Sequence, residues 1–350
     1  MNNAYSPLKI FHHQRTLQKM RMGQHVSPIH VQLVPTNRCN QSCKGCAYRA
    51  VGYTSNQTFD TRDEIPWEKL KEIVEDCKTL GVQAIELTGG GEPTVHPEFL
   101  GLASLILSSG IKLGLVTNGV RWTSEHSEIL ADASWVRFSV DAGSASTYAE
   151  YRRNPIDTYQ KVLDNVKSFM ALRPSALVGV GFVLTESNWG EVFDAANAAR
   201  DLGVDNFRIS ALFQSLGFKY FREFHSEAYA ECKRAETLTT DKFRVFNLFG
   251  DRIEDLQLER PHYTDCGYSK VSTYIGADLH LYPCCNLAYS KRGAIGSLRN
   301  QTFAATWNSR DVVEHLKNLD ARNCPRCMYN NKNTTIQYAL SDDPTHKEFI

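Results

Sequence analysis

Long apolar runs are missing from this chain. Nowhere in its 350 residues does an uninterrupted apolar stretch approach the ~20 residues that a bilayer-spanning helix needs, so a helical membrane function is not expected. Net charge is missing too: 39 Lys and Arg balance 39 Asp and Glu, and nothing global draws the chain toward nucleic acid or an anionic membrane. The N-terminus carries basic residues (His12, His13, Arg15, Lys19, Arg21) but lacks the apolar core of a secretion signal. Internal repeats and low-complexity tracts are also lacking. What is present is a globular composition, 42% apolar, enough for one large core or two unequal ones. Ten cysteines stand out against it. Without an export signal they point to metal or redox chemistry in a reducing cytoplasm rather than to disulfides.

Strand-like runs at 30–34, 82–88, 111–117, 135–140, 176–184 and 205–210 alternate with amphipathic segments at 67–80, 97–109, 124–132, 155–172 and 188–202. The strand-like runs are rich in Val, Ile and Leu, as in a parallel sheet covered by helices. Gly81 and Gly203 stand where a helix stops and a strand follows. Six such units predict an α/β fold, a partial (β/α)6 TIM barrel, with its chemistry at the C-terminal ends of the strands. The alternation fails over 213–262, an aromatic and charged stretch read as a helical connector.

Cys39, Cys43 and Cys46 form a C-x3-C-x2-C run directly after the first strand. Three thiolates in so short a loop can hold three irons of a [4Fe–4S] cubane and leave the fourth open to an external ligand; closely spaced cysteines also suit zinc. After the second strand comes Leu87-Thr88-Gly89-Gly90-Gly91-Glu92-Pro93. After the third comes Val116-Thr117-Asn118-Gly119, and after the fourth Ser139-Val140-Asp141. This ordered set, over roughly residues 28–212, resembles the radical S-adenosylmethionine (SAM) superfamily.

The resemblance implies a cluster on Cys39, Cys43 and Cys46, with SAM chelating the open iron. Gly89, Gly90 and Gly91 would let the backbone approach the methionyl part of SAM, and Glu92 would accept from its ammonium. Asn118, Ser139 and Asp141 would line the ribose or substrate. An arginine in the Tyr-Arg-Arg-Asn-Pro run, Arg152 or Arg153, would pair with the SAM carboxylate, and Arg153 is taken here. The position before the third cysteine is often aromatic in this family. Here it is Gly45, which leaves Tyr48 as the nearest aromatic for adenine. The implied chemistry is reductive cleavage of SAM to a 5′-deoxyadenosyl radical, which takes a hydrogen atom from substrate.

A second constellation comprises Cys266, Cys284, Cys324 and Cys327. One cysteine precedes a β-hairpin around Gly276-Ala277-Asp278-Leu279, one follows it, and Cys324-Pro325-Arg326-Cys327 closes the set after a helix around 301–318. This resembles the Twitch form of the SPASM module and implies one auxiliary [4Fe–4S] cluster; a zinc ribbon is the alternative. The adjacent Cys285 is then spare, a candidate hydrogen-atom donor to a substrate radical. Cys77 and Cys232 fall in helix-like segments and read as core thiols.

The expected organisation is an N-terminal extension (1–27), the barrel (28–212), the connector (213–262), the auxiliary module (263–330) and a tail (331–350). Expected partners are a flavodoxin- or ferredoxin-type reductant and a small-molecule or peptide substrate to be oxidised, epimerised or rearranged. Fewer than 30 residues precede the first strand, which tilts the expectation toward a small molecule. Nucleic acid is an alternative, resting on basic residues in the module (Lys291, Arg292, Arg299, Arg310, Lys317, Arg322, Arg326, Lys332). A second alternative is an activase for a protein partner.

Overall fold

The computed structural model describes residues 4–49 and 57–341; the last nine residues of the expected tail lie outside them. After a short 3-10 helix and α1 (Gln14–Arg21) the chain enters a run of parallel strands and covering helices: β1 (His30–Leu33), α2 (Trp67–Leu80), β2 (Ala84–Leu87), α3 (Phe99–Ser108), β3 (Lys112–Thr117), α4 (Ser124–Leu130), β4 (Trp135–Ser139). Two helices follow, α5 (Ala145–Arg152) and α6 (Thr158–Ala171), then β5 (Leu177–Leu184), α7 (Val192–Asp201) and β6 (Asn206–Ala211). Each strand pairs in parallel with the next. Alternate residues such as Ile85, Leu87, Val136, Phe138, Phe207 and Ile209 pack outward under the helices, and their neighbours face the lumen.

The partial barrel is larger than its six expected units. The 213–262 segment holds α8 (His225–Glu236), a seventh parallel strand β7 (Arg244–Asn247), and the short helices α9 (Leu248–Asp251) and α10 (Ile253–Gln257). A purely helical connector is therefore corrected. Val245 and Phe249 bury on the core side, and four residues of β7 suffice to extend the sheet because β6 offers a free edge.

The C-terminal module is joined to the same sheet. After α11 (Gly267–Val271), strand β8 (Ser272–Ile275) pairs in parallel with β1, His30 to Leu33 standing opposite Ser272 to Ile275. It then turns into the expected hairpin with β9 (His280–Tyr282), Tyr274 opposite Tyr282, and β10 (Gly296–Ser297) adds to β9. The sheet order is β10-β9-β8-β1-β2-β3-β4-β5-β6-β7. The predicted helix at 301–318 is two helices, α12 (Phe303–Trp307) and α13 (Arg310–Asn318), parted at Asn308-Ser309, where the Ser309 hydroxyl caps the second. The last element, α14 (Asn330–Leu340), packs Ile336 and Ala339 against Ile10, Leu17 and Val271, so the N-terminal segment and the tail close on each other.

Candidate functional site

The Cys39–Cys46 loop leaves β1 at the mouth of the barrel and is fixed from several sides. Arg49 donates to Gln41 O (3.1 Å) and Asn37 O (3.2 Å), tying the loop's return to its start. Gln41 N donates to Cys39 Sγ at 3.4 Å, and the buried Gln41 amide donates to Tyr148 OH at 2.8 Å. Burial pushes the Cys39 thiol up to about 11 and the Cys46 thiol upward as well. A thiolate at such sites needs a cation to hold it, as iron would.

The glycine segment after β2 lies against this loop. A Cβ at Gly91 would come within 2.0 Å of Arg38 O, and one at Gly90 within 2.3 Å of Asn37 Oδ1, so only bare backbone fits. Three thiols on one loop beside a bare glycine segment are a donor set that fits a cluster with SAM on its open iron. Cys39, Cys43 and Cys46 would hold the iron, and the Gly89–Gly91 backbone would border the SAM.

Glu92 is 4% exposed, and four protein donors meet its carboxylate. Thr94 N (3.2 Å), Thr94 Oγ1 (2.8 Å) and Thr117 Oγ1 (2.7 Å) donate to one oxygen, and Asn118 N (2.7 Å) to the other. A carboxylate has about four acceptor positions. Glu92 therefore ties the glycine segment to the Thr-Asn-Gly turn, and Oε2, which takes only the Asn118 N–H, keeps an acceptor position for a further donor. Asn118 extends the lock, since its Nδ2 donates to Asn40 Oδ1 of the cysteine loop at 2.7 Å.

The choice between the two arginines is corrected. Arg153 has φ 53° at the C-terminal cap of α5 and faces solvent. Arg152 points inward, 6% exposed. It donates to Asp141 Oδ2 (2.7 Å), to Ser139 O (2.6 Å) and, at 3.4 Å, to Cys43 Sγ. Asp141 itself takes a left-handed φ of 59° and also accepts from Val183 N at 2.8 Å. Ser139 and Asp141 thus reach the cysteine loop through Arg152. The sequence carried a signal for this: Tyr148 and Arg152 are four apart on one helix face.

The absent aromatic at position 45 also has a physical reason. A Cβ at Gly45 would lie 2.2 Å from Tyr151 OH, so the α5 tyrosine already occupies that space. Tyr48 stacks on Phe59 (5.5 Å between ring centres), stands edge-on to Tyr289 and accepts from Tyr274 OH at 3.1 Å. It joins the cysteine loop to the C-terminal module.

Cys266, Cys284, Cys324 and Cys327 line one cavity together with Pro283, Leu287, Tyr263, Tyr268 and Tyr329. Four cysteines meeting at one cavity are a donor set for an iron–sulfur cubane as well as for zinc. Cys285 does not line it. Its sulfur lies 3.0 Å from Tyr329 OH and 3.8 Å from Met328 Sδ, on the side where the charges of Glu86 and Lys332 act on it. Tyr268 and Tyr329, stacked at 4.0 Å, line the cavity, and Tyr329 also touches Cys285.

The inward residues of the strands complete the picture. His30 and Glu86 pair at 3.5 Å. Burial raises the Glu86 carboxyl, but the His30 hydrogen bond and the charges of His30, Arg137 and Lys332 outweigh it and bring the pKa to about 2. The module's basic residues do not form one face. Arg326 is buried on the carbonyls of Leu256 and Leu258, Arg310 and Arg322 pair with Glu314 and Asp320, and Lys332 lies over the Tyr268 ring. Cys77 and Cys232 are fully buried on α2 and α8. No described helix is long and apolar enough to cross a membrane.

A partial parallel barrel with three thiols at its mouth, followed by a four-cysteine module, defines an iron–sulfur enzyme of the radical SAM class. Comparison with known proteins agrees: residues 33–197 match the Radical SAM superfamily and residues 266–328 match SPASM, the iron–sulfur cluster-binding domain. The chain thus carries a radical SAM domain followed by a SPASM domain.

Mycofactocin maturase MftC of Mycolicibacterium smegmatis is 26% identical, covering 86% of this chain and 76% of the relative. Pre-heme d1 synthase of Dinoroseobacter shibae is 30% identical over 51% of this chain. This chain spans about half the length of several curated relatives, 42%, 56% and 49% in three of them. Among solved structures, Streptococcus suis SuiB bound to S-adenosylmethionine aligns with a TM-score of 0.64 at 15% identity, covering 90% of this chain and 75% of that one. The fold is thus shared.

Proposed function

We propose that the protein cleaves SAM reductively, takes a hydrogen atom from a substrate held in the barrel lumen, and returns one from Cys285. The observation that carries this is the separation of the two neighbouring cysteines: Cys284 lines the auxiliary cavity, while Cys285 stands outside it at 3.0 Å from Tyr329 OH. When bound, the first cluster and SAM supply a 5′-deoxyadenosyl radical, which removes a hydrogen atom from a substrate C–H bond. The substrate carbon radical then takes the hydrogen of the Cys285 S–H, and the C–H bond reforms on another face. The thiyl regains a thiol with one electron and one proton, the electron coming from a flavodoxin- or ferredoxin-type reductant. The substrate is inverted without change of oxidation state, while SAM is converted to methionine and 5′-deoxyadenosine at the cost of two electrons, both from that reductant, and one proton. A peptide substrate is favoured over a small molecule because Streptococcus suis SuiB, which shares this fold, is seen bound to the precursor peptide SuiA.

The test uses anaerobically reconstituted protein with SAM and dithionite. Formation of 5′-deoxyadenosine and methionine in equal amounts is expected, together with its loss when Cys39, Cys43 and Cys46 become Ala. Once a substrate is found, turnover in D2O should place deuterium at the inverted carbon, and Cys285→Ala should abolish that labelling. Equal labelling in Cys285→Ala overturns the donor role. No 5′-deoxyadenosine from the parent protein overturns the radical reading.

A further inference from the structure

Arg137 of β4 and Arg208 of β6 sit on inward-facing positions with β5 between them, Arg137 opposite Gly179 and Arg208 opposite Gly181. The glycines leave the space above β5 to the arginines; a Cβ at Gly181 would come 3.3 Å from Arg137 Cδ. Among the described residues neither guanidinium has a carboxylate partner within ion-pair distance. The two carboxylates whose charge reaches both are bound elsewhere, Asp141 to Arg152 at 2.7 Å and Glu86 to His30 at 3.5 Å. Arg208 Nε is fully buried with no hydrogen-bond partner.

A third cation acts on the same Glu86 carboxylate as the two arginines. Lys332 Nζ stands 5.0 Å over Tyr268 and 5.3 Å over Tyr329, also without a carboxylate in ion-pair range among the described residues. It can be reached by solvent, yet the surrounding protein pushes its pKa down to about 8 against the pull of Glu86. Burial and the like charge of Arg137 bring Arg208 to about 10. A buried guanidinium nitrogen without a partner, as Arg208 Nε is, is costly unless a ligand supplies an acceptor, and Arg in particular suits a forked oxyanion contact.

We propose that Arg137, Arg208 and Lys332 form an oxyanion subsite inside the barrel that holds a phosphate or carboxylate group of the substrate. The proposal rests on the lumen being the substrate site. It deepens that reading by making the substrate acidic: a phosphorylated compound, or a peptide presenting an acidic side chain or its C-terminal carboxylate. The anion anchors the substrate at mid-barrel and so fixes which C–H bond faces the mouth.

The test is calorimetric titration of the reconstituted holoenzyme, without reductant, with inorganic phosphate and separately with glutarate. Saturable one-site binding of at least one ion is expected, and the tighter of the two names the group. Arg208→Gln and Arg137→Gln should each weaken it about 10- to 100-fold, the worth of a charge-assisted contact. Thermal midpoints are read in parallel, and Arg208→Lys, which keeps charge and bulk but loses the fork, should fall between the parent and Arg208→Gln. No saturable binding of either ion by the parent, or parent-like binding by both glutamine variants, overturns the subsite. The two readings fail separately: 5′-deoxyadenosine formed without anion binding leaves the radical function standing alone, and anion binding without SAM cleavage leaves only the subsite.

Discussion

Replacing Arg152 by Met removes the cation from a buried pair and keeps most of its bulk. The loss can be worked from the contacts. Asp141, 4% exposed, keeps only the Val183 N–H at 2.8 Å on its carboxylate, while Ser139 O loses a donor at 2.6 Å. Leaving one member of a buried ion pair uncompensated costs about 3–5 kcal/mol. At roughly 2 °C per kcal/mol for a chain of this size, the midpoint falls by about 6–10 °C. Adding Asp141→Asn should recover a large part of this, because a neutral amide still accepts from Val183 without stranding a charge.

The pH dependence has a definite sign. Burial raises the Asp141 carboxyl above its ordinary value, and Arg152 pulls it back down. Without Arg152 the folded-state value climbs further. A folded value above the unfolded one means that stability is lost as pH rises through that window. The deficit of Arg152→Met relative to the parent should therefore be larger at about pH 8 than at about pH 5. Anaerobic scanning calorimetry of reconstituted proteins at the two pH values checks this. A shift corresponding to less than about 1 kcal/mol, or one that is the same at both pH values, refutes the buried-pair reasoning.

Two further outcomes are expected. Cys284→Ala should lose the iron of the auxiliary cavity while Cys285→Ala keeps it, read as iron per chain and by Mössbauer spectroscopy after anaerobic reconstitution; equal iron loss in both would place Cys285 in the ligand set. Gly91→Ala should lose the first cluster and SAM binding with little change at the auxiliary cavity, because its Cβ would come within 2.0 Å of Arg38 O. SAM affinity measured by equilibrium dialysis at parental strength would show that the loop yields instead.

Much of the barrel was legible because its signals are local. The run Ala84–Leu87 alternates, and Gly81 with φ 76° ends the helix before it. The cysteine loop and the glycine segment were legible for the same reason, as spacing within one stretch of chain. β7 was not legible: four residues, Arg-Val-Phe-Asn, acquire their strand character only from the edge of β6. The parallel pairing of β8 with β1 links residues some 240 apart and leaves no local mark. Arg152 and Arg153 are separated by the end of α5 between them, which the spacing of Tyr148 and Arg152 hinted at and the helix boundary settles. The oxyanion cluster was hidden because Arg137, Arg208 and Lys332 come from three distant segments, and Lys332 had been grouped with residues that turn out to be paired, buried or scattered.

The register between β8 and β1 gives the molecule a fixed internal ruler. β1 runs directly into the loop of Cys39, and the β8–β9 hairpin runs directly into Cys284, so hydrogen-bonded backbone links the two iron sites. Their separation is set by strand geometry, not by a hinge. An electron crossing between them would meet the same distance in every turnover. Removing the C-terminal segment would expose an edge of the barrel's first strand, and the remaining half would be an aggregation-prone fragment rather than a slower enzyme.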